Sequence, residues 1–154
     1  MMRKLLALCV LVLACGDNAA APAATAQLKL VSPPDKAVVG ENRTIEVLIS
    51  NTGTEPLGFQ GGCNALRIET LHNRQFDALG STVCMAIHGP LWVPPGTTVS
   101  LRAPWPVGYY IDTKGEQHLL PAGRYLVRAG LSTFDNRSAY SAPHAVEISP
   151  APSP

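Results

Sequence analysis

Charge is scarce in this chain: Asp, Glu, Lys and Arg make up 15% of it, and the formal net charge is +1. Setting aside residues 1–14 removes Arg3 and Lys4 and leaves ten basic against eleven acidic side chains, a balance of about −1. No basic stripe is left to serve as an electrostatic footprint for nucleic acid. Long apolar runs are also missing. The longest, Leu5 to Leu13, has nine residues, well short of the roughly 20 that cross a bilayer. There is no internal repeat and no helical stripe of period 3.6. No serine occupies a G-x-S-x-G elbow, and no Cys, His and acid fall in an arrangement known for nucleophilic catalysis. Glu41, Glu46, Glu55, Glu69, Asp77, Asp112, Glu116, Asp135 and Glu147 sit where turns and solvent faces are expected, so no carboxylate pair is singled out. Catalysis is not expected, and no cofactor is called for.

What is abundant is turn material. The chain holds 14 Pro and 13 Gly against 46% apolar residues, a mixture that suits short strands joined by many turns. With 154 residues there is room for one domain able to bury a core.

The first residues read as a targeting segment. Arg3 and Lys4 precede the apolar run, which ends Val12-Leu13-Ala14-Cys15-Gly16. That ending resembles the lipobox of bacterial lipoproteins, in which a small residue precedes the cysteine that is lipidated and becomes the new N-terminus. The resemblance implies a signal peptide over residues 1–14 and a lipid on Cys15. The alternative is cleavage after Ala24-Thr25-Ala26, an A-x-A pattern that discards Cys15 and releases a soluble protein. The run stops directly at Cys15, which favours lipidation. Both readings place the domain outside the cytoplasm, the first in a bacterial cell envelope and held to its membrane. Residues 15–26, small and Pro-interrupted, read as the lipidated N-terminus and a tether, and residues 150–154 as a disordered tail. The domain itself is assigned to residues 27–149.

In an oxidising compartment Cys63 and Cys84 form an even pair, and a disulfide is the default. It would close a loop worth roughly 3 kcal/mol in the chain-entropy model. The competing use is a copper or zinc site built from Cys63, Cys84, Met85 and His88 with His72, which a disulfide would abolish by consuming both thiolates. With the disulfide preferred, no metal is expected.

Alternation supplies the fold. Leu28 and Leu30 share one face, as do Ile45, Val47 and Ile49, Leu66 and Ile68, Val99 and Leu101, Tyr125, Val127, Ala129 and Leu131, and finally Val146 and Ile148. Between them lie Ser32-Pro33-Pro34-Asp35, Asn51 to Pro56, and Pro95-Gly96, the last suited to the centre of a type II turn. Residues 71–81 read as a strand end followed by a turn, and 103–119 as a long loop around Trp105, Tyr109 and Tyr110. Seven or eight strands at this spacing describe a sandwich or small barrel. Leu120-Pro121-Ala122-Gly123-Arg124-Tyr125 looks like the corner of immunoglobulin-like domains, where a Tyr hydroxyl bonds back to upstream backbone. The fold class expected is therefore all-β, an immunoglobulin-like antiparallel β-sandwich.

The order Ile49-Ser50-Asn51, Glu55-Pro56-Leu57, Pro95-Gly96, Trp105 and Leu120 to Tyr125 resembles the intracellular proteinase inhibitor (BsuPI) domain family over roughly Leu28 to Ile148. The resemblance implies an immunoglobulin-like fold, Trp105 in its core, and a protein partner of the proteinase class. Tyr109 and Tyr110 are the residues expected to offer a partner contact, since Tyr in a loop is a good anchor. Two other uses stay open, a metal-handling lipoprotein and a structural accessory module of the envelope.

Overall fold

Every second residue from Ile45 to Ile49 is buried in β3 (Asn42–Asn51), and the same rhythm builds its neighbours. The computed structural model describes residues 25–60, 65–72, 75–78, 89–111, 114, 116–134 and 137–151. Around β3 lie β1 (Ala26–Val31), β2 (Lys36–Val38), β4 (Leu57–Gln60), β5 (Leu66–His72), β6 (Gln75–Ala78) and β7 (Pro90–Val93). They are followed by β8 (Thr98–Pro106), β9 (Tyr109–Ile111), β10 (Gln117–Leu119), β11 (Gly123–Ser132), β12 (Ser138–Tyr140) and β13 (His144–Ser149). Strands are the only regular elements among the described residues.

One sheet has the order β1-β3-β8, antiparallel throughout, with Leu28 opposite Ile49 and Ile49 opposite Val99. The larger sheet has the order β2-β13-β11-β5-β6, with β12 also on β11; only β2 runs parallel to its neighbour. The ribbon β4-β7 and the hairpin β9-β10 complete the set. The inner faces of the two sheets meet in one core. Val47, Ile49 and Trp105 come from the first sheet, Ile68, Val127, Ala129, Leu131 and Val146 from the second, and Leu57, Phe59 and Val93 from the ribbon. Each fully buried Val, Leu, Ile or Phe contributes roughly 1.5–3 kcal/mol, so this shared face is what joins the layers. The result is an immunoglobulin-like antiparallel β-sandwich.

The described residues hold thirteen strand segments where alternation counts seven or eight. The surplus comes mostly from β2, β9, β10 and β12, three-residue pairings too short to carry a sequence rhythm. Residues 71–81 also contain β6, where the sequence reads as strand end and turn. The long loop expected over 103–119 is replaced by structure: β8 continues through Trp105 to Pro106, and β9 and β10 pair with Tyr110 opposite His118.

Three local expectations are met, two by specific bonds and one by burial. Gly96 has φ +69°, and Thr97 N donates to Pro94 O at 3.2 Å, closing the Pro95-Gly96 turn. Tyr125 Oη donates to Pro121 O at 2.7 Å, the tyrosine corner. Trp105 is 0% exposed. Asn51, 1% exposed at the end of β3, donates through Nδ2 to Glu55 O (2.7 Å) and Val93 O (2.9 Å) and accepts from Gly53 N (3.0 Å). One amide thus ties the β3–β4 turn to β7.

Candidate functional site

Two ends of the sandwich follow from register. Ala26 and Asn51 are paired at the end where the described chain enters, while Asn42 and Pro106 are paired at the other. The hairpin β9-β10 continues from Pro106 and so belongs to the far end. Gly108, at φ +77°, makes the turn into it and packs against Val39, and Val107 N donates to Glu41 O at 2.8 Å.

Tyr109 and Tyr110 are consecutive on β9 and therefore project to opposite faces. The Tyr109 hydroxyl lies near Gly40, in the β2–β3 turn. The Tyr110 ring is flanked by His72, with ring centres 4.4 Å apart, and by His118, stacked at 5.2 Å and 27°. Both tyrosines are half-buried. They are held by strand pairing and ring contacts, not carried on the loop that the sequence pattern implied. Beside them Arg43 Nε donates to Glu41 Oε2 at 2.6 Å. That bond holds the Glu41 carboxyl below its ordinary range, against partial desolvation and with help from the Val38 N–H.

The outer face of the larger sheet carries a polar cluster that the sequence concealed. Glu69 was expected on a solvent face; it does project outward, but it is 3% exposed. Arg128, its register partner, donates through Nε to Oε2 at 2.7 Å, and Arg67 Nε donates to Oε1 at 2.8 Å. Arg67 also donates to Ser132 Oγ, and the Arg128 guanidinium sits 3.8 Å from the centre of the Tyr140 ring. Gly130 leaves the space: a Cβ there would stand 2.7 Å from Glu69 Oε1. Two arginines and a ring cover the carboxylate, which is why an outward residue is dry.

A second feature, near the entry end, also escaped the sequence. Trp92 on β7 is 59% exposed and Phe134, in the β11–β12 turn, 45%. Their ring centres are 5.4 Å apart. Both rings lie on Gly58, where a Cβ would come within 2.5 Å of the Trp92 ring and 2.6 Å of Phe134, and Phe134 N donates to Gly58 O at 3.1 Å. A side chain at position 58 would push both rings off the backbone. Alternation in Leu91-Trp92-Val93 carries the outward direction of Trp92, but its contact with Gly58 and Phe134 depends on pairing across the ribbon.

Cys15, Cys63, Cys84, Met85 and His88 lie outside the described residues. Among the described residues no three His, Cys, Asp or Glu side chains gather as metal ligands, and the ring of His72, the described member of the metal alternative, lies tilted against Tyr110. An open groove of about 850 Å³ runs beside β2 and β13, where His144 Nε2 lies 3.1 Å from Asp35 Oδ1 and Lys36 is 3.8 Å from Glu147. It is open and its lining is of mixed charge, from Asp35, Lys36, Arg124 and Glu147.

No family model and no curated protein matches the chain. Among solved structures it is similar to a β-glucosidase from Listeria innocua in complex with glucose (TM-score 0.47, 15% identity, 81% of this chain and 16% of that one). It is also similar to the sporulation control protein Spo0M from Bacillus subtilis (TM-score 0.48, 14% identity, 82% of this chain and 49% of that one). The third is the CARDB domain of the PF1109 protein from Pyrococcus furiosus, solved with di-metal ions (TM-score 0.40, 13% identity, 84% of this chain and 90% of that one). The chain spans 16% and 49% of the first two, and at these scores the likenesses carry no argument about function.

Proposed function

We propose that this chain is an exported module, lipid-anchored through Cys15, that acts by binding a protein partner and has no turnover of its own. A proteinase is the partner class implied by the resemblance to the BsuPI family. The observation that supports the reading is the position of the Tyr109–Tyr110 hairpin at the end of the sandwich opposite Thr25, where a partner would meet it clear of an N-terminal anchor. Tyrosines held rigidly by their neighbours lose little freedom on binding, which is what makes such residues effective contacts. Cys63 and Cys84 belong to the same proposal as a disulfide suited to export.

Metabolic labelling with a fatty-acid analogue, compared with Cys15→Ala, tests the anchor; labelling that survives the substitution, or a mature N-terminus at Gln27, removes it. Pull-down from membranes with wild type and the Tyr109→Ala, Tyr110→Ala double variant tests the binding end. Identical partner lists would exclude those tyrosines. Saturable loss of activity across a panel of subtilisin-like and trypsin-like proteinases is the expected sign of inhibition, and no loss with any of them rejects that partner class.

A further inference from the structure

The sandwich leaves two large aromatic rings in water at the end where its chain enters. Trp92 and Phe134 are not loose surface side chains. Gly58 gives them a flat backbone floor, and the Phe134 N–H is bonded to the Gly58 carbonyl, so the pair is presented in one arrangement. Thr25, the first described residue, accepts a bond from Thr52 N at 2.9 Å and lines the same groove, of about 250 Å³, as Leu57, Thr133 and Arg137. Leu57 and Thr133 are the chain neighbours of Gly58 and Phe134. The rings and the chain's point of entry therefore share one end of the molecule.

Chain length decides what that end faces. Cys15 and Thr25 are ten residues apart in sequence. Ten residues of flexible chain have a root-mean-square span of roughly 17 Å and cannot exceed about 36 Å. The ten-residue strand β3 is itself about 33 Å long, so a chain anchored at Cys15 keeps its entry end, not its far end, against the membrane for most of its time.

We propose that the Trp92–Phe134 pair is a second membrane contact, seating the entry end of the domain in the headgroup layer of the bilayer that holds Cys15. This rests on the lipid-anchored reading above. Tryptophan is enriched at that depth because its ring is apolar while its N–H stays wet. In the sequence of the surrounding turns the charged residues are Glu55, Asp135 and Arg137, a net −1 that gives no electrostatic pull toward an anionic surface, so the attraction is apolar. Tethering supplies the rest, because an anchored domain meets the surface at an effective concentration on the order of millimolar.

The test uses the full lipidated chain in phosphatidylethanolamine–phosphatidylglycerol vesicles, with and without brominated acyl chains. The protein has two tryptophans, and Trp105, at 0% exposure, serves as the internal reference shielded from both quenchers. Brominated lipid is expected to remove most of the emission that Trp92→Phe also removes, while aqueous acrylamide leaves it unchanged; high salt should not alter either result. Trp92 emission unaffected by brominated lipid overturns the proposal: quenching by acrylamide would place the ring in water, and protection from both would mean that a protein covers it. Absence of lipid on Cys15 by mass spectrometry overturns the anchor and this contact together. A lipidated chain with a wet Trp92 overturns the contact alone.

Discussion

Tyr125 donates its phenolic hydrogen to the carbonyl oxygen of Pro121, four residues upstream, across 2.7 Å. The bond closes the corner that leads into β11, the strand at the middle of the larger sheet. Tyr125→Phe keeps the ring and deletes only the hydroxyl, so it should lower unfolding free energy by about 0.5–1.5 kcal/mol in urea titration. Burial pushes the Tyr125 phenol above its ordinary value of 10.0, so the folded state prefers the neutral form. Its contribution is present below the unfolded value and fades as pH rises through the folded one. The alkaline fall in stability should therefore be shallower in Tyr125→Phe.

Asn51 gives a larger effect. Asn51→Ala leaves the Glu55 and Val93 carbonyls and the Gly53 N–H without their partner, at about 1–3 kcal/mol for each group stranded away from water. Asn51→Asp should be as damaging near neutrality, because a carboxylate would face two carbonyls, and should recover in part in acid, where the protonated group can donate. Equal stability of the Asp variant at both pH values would show that the carbonyls do not need the donor.

Glu69 lies under two arginines, and removing its charge leaves both guanidinium groups short of a partner. Glu69→Gln should cost roughly 3–5 kcal/mol by thermal or urea unfolding. Gly130→Ala should cost roughly 1–3 kcal/mol by driving the carboxylate off Arg67. The two substitutions share a cause, so a double variant should lose clearly less than the sum; additive losses would refute the shared contact.

At the far end Glu41 is held below its ordinary value of 4.5 mainly by the Arg43 bond. A lowered carboxyl stabilises the fold above its unfolded value and loses that effect as pH falls through the folded one. Glu41→Gln should lower stability slightly above about pH 4.5 and leave the acid end nearly unchanged, so that the profile is flatter between the two. A profile identical to wild type would exclude the Arg43 pair as a source of acid sensitivity.

Gly58 is a test of the aromatic floor. Gly58→Ala places a methyl 2.5 Å from the Trp92 ring and should release both rings, raising the acrylamide sensitivity of Trp92 in the free protein. The stability cost is expected at roughly 1–3 kcal/mol. Unchanged Trp92 emission would show that the rings do not depend on the glycine.

What the sequence determined by itself is what depends on near neighbours. Strand faces such as Ile45-Val47-Ile49 and Val127-Ala129-Leu131 repeat every second residue, so their burial is written into the order of the chain. The Pro95-Gly96 turn and the Tyr125 corner close within four or five residues and were legible for the same reason. Burial of Glu69 was not, because the arginine above its Oε2 is 59 residues away and reaches it only when β5 and β11 pair in one register. Trp92 finds Gly58 across the β4-β7 ribbon and Phe134 from another turn, and Tyr110 finds His118 across a hairpin whose three-residue strands are too brief to leave a rhythm. In each case local pattern chose which face a side chain takes, and cross-strand register, fixed only when the sheets pack, chose what it meets there.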